Sequence, residues 1–151
     1  MKFETISKQA PFYPELLRNI FDPPKELNIW GKLPDFNLHP PVAVVGSRKP
    51  TDYGREAAVA ITSGLAKAGF TVISGLAYGI DSIAHKACLE NGGLTVAVLG
   101  GGLEKLYPKA HEKLAADIVA GGGAVISEFE NSAPSLPFNF PKRNRIISGM
   151  S

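Results

Sequence analysis

The sequence predicts an α/β domain built on a doubly wound, mostly parallel sheet, and three observations lead there. Four short apolar runs, at residues 42–45, 70–73, 94–99 and 124–126, recur at about the spacing of a βαβ unit. None of them alternates apolar with polar, which is the pattern of strands covered on both faces. The segments between them have helical periodicity, and each stops at glycine or Asn-Gly, where a left-handed cap can end a helix. Right-handed crossovers between such strands place helices against the sheet.

Residues 1–41 carry seven prolines, from Pro11 to Pro41, that interrupt every long helix. Only residues 14–21 allow a helix of about two turns, with Leu16, Leu17 and Ile20 on one side. The apolar anchors Phe12, Tyr13, Phe21, Leu27, Ile29 and Trp30 make this stretch a proline-rich arm expected to dock on the main domain, residues 42–151. Trp30 is read as a packed anchor rather than a base-stacking residue.

The first apolar run breaks into Gly46-Ser47-Arg48-Lys49-Pro50 and then enters a helix expected over residues 52–68. A strand, a glycine and a helix start aim backbone N–H groups and the positive helix end at one spot, which favours an anion. Arg48 and Lys49 add side-chain charge. The helix places Ala58, Ile61, Leu65 and Ala68 on its expected inner face. A second helix over residues 80–90 uses Ile80, Ala84, Ala87 and Cys88, and a third over 109–120 uses Ala110, Leu114, Ile118 and Val119. In such a sheet ligands bind at the carboxyl ends of the strands. Here those ends read Gly46-Ser47-Arg48, Ser74-Gly75-Leu76-Ala77, Gly100-Gly101-Gly102 and Ser127-Glu128. Three of the four are glycine-bearing turns that let backbone approach a ligand.

The formal charge is only +2, but it is unevenly spread: after Glu130 the charged residues are Lys142, Arg143 and Arg145. Asn139-Phe140-Pro141 reads as a helix start with proline in the first turn. At 100° per residue, Ile146, Ile147 and Met150 face inward, Arg143 projects along that face, Lys142 lies at its margin and Arg145 points largely away. A cation at a helix amino end opposes the dipole, and a bound anion would reverse that penalty. The competing expectation is an ion pair of Arg143 with an acid such as Glu128. Phe138 and Phe140 can stack bases, although a role in stapling the helix start to the core is the simpler expectation.

Several function classes are excluded. The turn after the first strand lacks GxGxxG and the second strand ends in Ser74-Gly75 rather than an acid, so a nicotinamide site fails at both places. No Gly-Lys-Ser/Thr follows, so a P-loop fails too. His39, His85 and His111 are scattered, the single Cys88 offers neither a disulfide nor a thiolate cage, and the strand-end serines lack a paired base. Asp81, Glu128 and Glu130 are read as turn caps. No catalytic residue, metal or cofactor is expected. No apolar run approaches membrane-spanning length and no signal-peptide core begins the chain, so a cytoplasmic protein without a membrane partner is expected.

Five motifs in order carry a resemblance. They are Gly46-Ser47-Arg48; Ser74-Gly75-Leu76-Ala77-Tyr78-Gly79-Ile80-Asp81 with His85; Val98-Leu99-Gly100-Gly101-Gly102-Leu103 with Tyr107-Pro108; Ser127-Glu128; and Asn139-Phe140-Pro141-Lys142-Arg143-Asn144-Arg145-Ile146-Ile147-Ser148-Gly149. Together with Tyr13-Pro14, Leu17, Ile20 and Asp22-Pro23-Pro24, they resemble the Rossmann-like domain of the DNA-processing protein A (DprA/Smf) family over nearly the whole chain.

The resemblance implies sequence-independent binding of single-stranded DNA through backbone phosphates, in DNA uptake, natural transformation and loading of the RecA recombinase, by a homodimer without catalytic residues. By motif match, Gly46, Ser47, Arg48, Lys142, Arg143 and Arg145 would contact phosphates, and the turns at Gly75, Gly100 and Gly101 would shape the same pocket. The family domain continues with further strands, so the chain is expected to be incomplete at its C-terminal end, with its fourth strand left as an exposed edge. Two other classes stay open: a nucleotide-binding module, and a nucleotide phosphoribohydrolase of the LOG type, whose Pro-Gly-Gly-x-Gly-Thr mark is only partly matched by Gly100-Gly101-Gly102-Leu103-Glu104.

Overall fold

The computed structural model describes residues 1–151. Six strands, β1 (Phe3–Ser7), β2 (Glu26–Gly31), β3 (Pro41–Ala43), β4 (Thr71–Ser74), β5 (Thr95–Val98) and β6 (Ala124–Ser127), form one sheet in the order β1-β2-β6-β5-β4-β3. The last four are mutually parallel, and β1 and β2 join antiparallel at the β6 side. The helices are α1 (Glu15–Arg18), α2 (Asp52–Lys67), α3 (Ile80–Glu90), α4 (Glu112–Ala120) and α5 (Asn139–Gly149), with 3₁₀ turns at Leu103–Lys105 and Lys109–His111. No helix is long and apolar enough to cross a membrane.

The parallel strands follow one another in sequence order, so successive crossovers run in one direction and their helices α2, α3 and α4 share one face. The chain then carries α5 to the opposite face beside α1. Alternation along β5 shows the two layers: Val96 and Val98 join Leu17, Leu27, Ile146 and Met150 in one core, while Ala97 joins Leu114, Ala115 and Ile118 in the other. A smaller cluster of Ala66, Val72, Ala84 and Cys88 lies beneath α2 and α3. Burial there pushes the Cys88 thiol up to about 11, which keeps it protonated and unreactive.

The structure changes the expectation for residues 1–41. They are not only a docked arm, because two of their segments are strands of the same sheet. β2 alternates inward Leu27 and Ile29 with Asn28 and Trp30, a period-two pattern that the surrounding prolines hid. It pairs with β6 from Asn28↔Ser127 to Gly31↔Ala124, so the fourth parallel strand is not an exposed edge. Trp30 packs against the α4-side core, as an anchor. Phe12 and Phe21, expected as anchors, are exposed, whereas Tyr13 is buried and its hydroxyl donates to Pro24 O at 2.6 Å.

Helix α2 also differs, with Ile61 exposed and Ala58, Thr62 and Ala66 facing in. This helix packs on its neighbour α3 as well as on β4, and small residues let the two helices approach closely, which turns the bulkier Ile61 outward.

One buried polar group has a consequence for stability. His85 on α3 is wholly buried; its Nδ1 donates to Thr95 Oγ1 at 2.7 Å, Thr95 in turn donates to Val72 O, and Nε2 has no partner. Burial, with His111 adding a smaller push, lowers its pKa from 6.5 to about 3. The unfolded chain therefore binds more protons than the folded one between those values, and the stability the neutral imidazole permits is lost as pH falls through that window. In thermal melts between pH 7 and pH 4.5, His85→Leu is expected to lose less Tm than the wild type; equal losses would show that His85 does not carry the acid sensitivity.

Candidate nucleic-acid interface

The carboxyl ends of β3, β4 and β5 and the start of α5 enclose a cleft of about 1020 Å³, lined by residues including Gly46, Arg48, Ala77, Asp81, Tyr107, Phe140, Arg143 and Arg145. Its first wall is the Gly46-Ser47-Arg48 turn. Ser47 O accepts from Ile80 N at 3.0 Å, and Ser47 Oγ accepts from Lys49 N at 3.1 Å, so the turn is fastened over the amino end of α3. Gly46 is needed for close packing, since a Cβ there would lie 2.7 Å from Ile80 Cγ1. Gly79 faces the other side of the same contact at φ +81°, with no room for a Cβ beside Ser47 O.

The expected anion cradle at the next helix start is not present in that form. α2 begins only at Asp52, Thr51 Oγ1 already accepts from Gly54 N at 3.0 Å, and Asp52 occupies the first turn. The α5 start offers little backbone either, because Asn139 N and Phe140 N donate to Leu136 O and Pro137 O and Pro141 has no N–H. Cationic side chains therefore dominate the cleft. Arg48 is exposed and makes no hydrogen bond to protein; its guanidinium lies 5.3 Å from the Phe140 ring centroid.

Arg143 faces inward, as its helical phase predicts, but it is only 4% exposed and already committed. Its Nη1 donates to Gly75 O at 3.0 Å and to Val98 O at 2.7 Å, the carbonyls just beyond β4 and at the end of β5. Gly75 leaves the space for this: a Cβ there would be 2.8 Å from both the guanidinium carbon and Asp81 Oδ2. Asp81 caps the same loop by accepting from Gly75 N at 3.1 Å. Burial raises the Asp81 pKa and lowers that of Arg143, while the opposite charge of each partner works against the burial effect on the other.

The expected pairing of Arg143 with Glu128 falls instead to Arg145. Its two terminal nitrogens bond both Glu128 oxygens at 2.6 and 2.7 Å, and Nε donates to Asp22 O at 3.0 Å. The bonds to Glu128 raise the Arg145 pKa. Arg145 thus fixes α5 to the end of β6 and to the N-terminal segment, and its charge is neutralised in place. Lys142 is exposed outside the cleft lining, with Nζ 5.6 Å from the Phe129 ring centroid.

The glycines after β5 are filled by protein. Phe140 sits against Gly100, Ser135 against Gly101, and the Glu130 and Asn131 carbonyls against Gly102, so this turn has no open space for a phosphate. Ser74 Oγ donates to Val44 O and Ser127 Oγ to Gly101 O, which commits both strand-end hydroxyls to the backbone.

Three residues at the site had no separate signal in the sequence. His111 Nδ1 donates to Leu76 O at 2.7 Å, holding a buried leucine at φ +58° in the loop after β4. Tyr107 lies 5.8 Å from Phe140, centroid to centroid, and Tyr78 lies 5.0 Å from His111. These contacts join segments far apart in sequence.

The DNA recombination-mediator protein A family model matches residues 4–151. Protein Smf of Escherichia coli K12 is 46% identical over 147 residues, covering 97% of this chain and 39% of that protein. DNA processing protein DprA of Streptococcus pneumoniae R6 is 42% identical over 149 residues, covering 99% and 52%. The chain thus spans about half or less of these relatives. The X-ray structure of the pneumococcal protein superposes with a TM-score of 0.87 at 40% identity, covering 99% of this chain and 52% of that one. DNA processing protein A from Helicobacter pylori, whose structure is described as giving insight into a single-stranded DNA binding mode, superposes with a TM-score of 0.83 at 28% identity, covering 99% and 66%. The fold is thus shared with these relatives over nearly the whole chain, and the chain belongs to the DNA recombination-mediator protein A family.

Proposed function

We propose that the cleft binds single-stranded DNA by its phosphates and does not read sequence. The observation that carries this reading is Arg48: an exposed guanidinium at the mouth of an open cleft, on a turn fastened by Ser47 and Ile80, with no acidic partner. Lys142 continues the positive surface outside the cleft. Arg143 reaches from α5 to the strand-end carbonyls and adds its charge there, and Arg145 serves as a brace whose charge Glu128 cancels. The single-strand preference draws on the relationship to the Helicobacter pylori protein.

The same proposal takes the protein as a non-enzymatic cytoplasmic component of DNA uptake and natural transformation that loads RecA, and as a homodimer. The phosphoribohydrolase reading is disfavoured because the Gly100-Gly101-Gly102 turn is packed by Phe140, Ser135 and the 130–131 carbonyls.

Two predictions separate the roles of the arginines. Arg48→Ala is expected to leave Tm nearly unchanged, to weaken binding of labelled oligo-dT in fluorescence anisotropy, and to lower the salt slope by about 0.7, the share of one phosphate on a single strand. Unchanged affinity and slope would reject the assignment, as would preferential binding of duplex or full competition by AMP. Arg143→Ala leaves the Gly75 and Val98 carbonyls without their donor and Asp81 without its counter-charge. It is expected to cost about 2 kcal/mol or more, seen as a Tm drop of roughly 4 °C or more; a Tm equal to wild type would show that the clamp contributes no stability.

A further inference from the structure

We propose that Tyr107, with Tyr78 beside it, is a stacking surface for an unpaired nucleobase, next to the phosphate position at Arg48. This inference rests on the single-strand reading above and adds a base-binding element to it. Arg48 and Tyr107 line the main cleft together, and both also line a smaller recess shared with Tyr78 and Pro108. The two tyrosines are 50% and 47% exposed as residues, so both are open to solvent beside the cationic turn.

Phe140 is the less available ring. It is partly buried, it fills the space above Gly100, and the Arg48 and Arg143 guanidinium carbons lie 5.3 and 5.5 Å from its centroid. Tyr107 leans on it at 5.8 Å with the planes 52° apart, which gives Tyr107 a fixed support without covering it. Tyr78 is held edge-on by His111 at 5.0 Å, and His111 is itself anchored to Leu76 O. Two braced rings open to solvent beside a free guanidinium have the composition of a single-strand site: a charge for the backbone and π-faces for bases. Stacking accepts every base, so it adds affinity without adding sequence preference.

The test compares oligo-dT with an abasic strand of the same length, which has the same phosphates and no bases, by fluorescence anisotropy at fixed salt. The wild type is expected to bind oligo-dT about tenfold more tightly, the scale of one stacked base. Tyr107→Ala is expected to erase most of that preference, and Tyr107→Phe to restore it. Phe12→Ala, an exposed ring beside His39, Leu94 and Gly122 at the opposite end of the strands, is expected to keep it. Equal binding of the two strands by the wild type would overturn the stacking role and leave the phosphate reading standing. A preference that survives Tyr107→Ala in a folded variant would overturn it as well. Binding of neither strand would overturn both readings. Melting curves establish that each variant folds, and should Tyr107→Ala not fold, the wild-type comparison of the two strands decides.

Discussion

The arrangement of this protein depends on one guanidinium. Strand carbonyls point sideways at neighbouring strands, and those of Gly75 and Val98 lie just past the last paired residues of β3–β4 and β4–β5, where no strand N–H meets them. Arg143 reaches down from α5 and donates to both through one nitrogen. Burying a charge is costly in itself, and it is tolerated where charge-assisted hydrogen bonds and an opposite charge offset the lost hydration. Here the two carbonyls and nearby Asp81 supply them. The result fixes α5 across the strand ends, and so fixes the roof of the cleft relative to its floor.

The other interactions divide the remaining work. Arg145 ties the middle of α5 to Glu128 and to the backbone of Asp22, so the N-terminal segment and the last helix hold each other. Gly149 lets Leu17 and Ile20 of the α1 region approach α5 closely. On the near wall, the Ser47–Ile80 bond and the open backbone of Gly79 hold the Gly46-Ser47-Arg48 turn against α3. With those cations committed, Arg48 and Lys142 are left to meet solvent, Arg48 on a turn held by the Ser47–Ile80 bond and by close packing at Gly46 and Gly79. Preorganisation of this kind lowers the ordering cost of binding.

Much of this was legible in the residues. The four unalternating apolar runs and the glycine stops gave the parallel strands and crossover helices to within one or two residues at most boundaries, and the 139–149 helix with proline in its first turn appears where expected. The inward direction of Arg143 followed from its phase with Ile146, Ile147 and Met150. The proline-rich segment was harder: β2 reads as a strand only because β6 offers it an edge, and a six-residue alternation among prolines is a weak local signal.

Sequence by itself determined the periodicities, the breaks, and the kinds of side chain gathered at the strand ends, because these are set by local backbone preference and by which residues prefer water. Tertiary structure alone decided what each charge was for. Arg143 and Arg145 are two residues apart on one helix, with Arg48 far upstream; the first became a clamp on two carbonyls, the second a brace to Glu128, and the third stayed free. Those fates depend on which carbonyls and carboxylates the fold brings within about 3 Å, a long-range outcome that spacing along the chain does not encode.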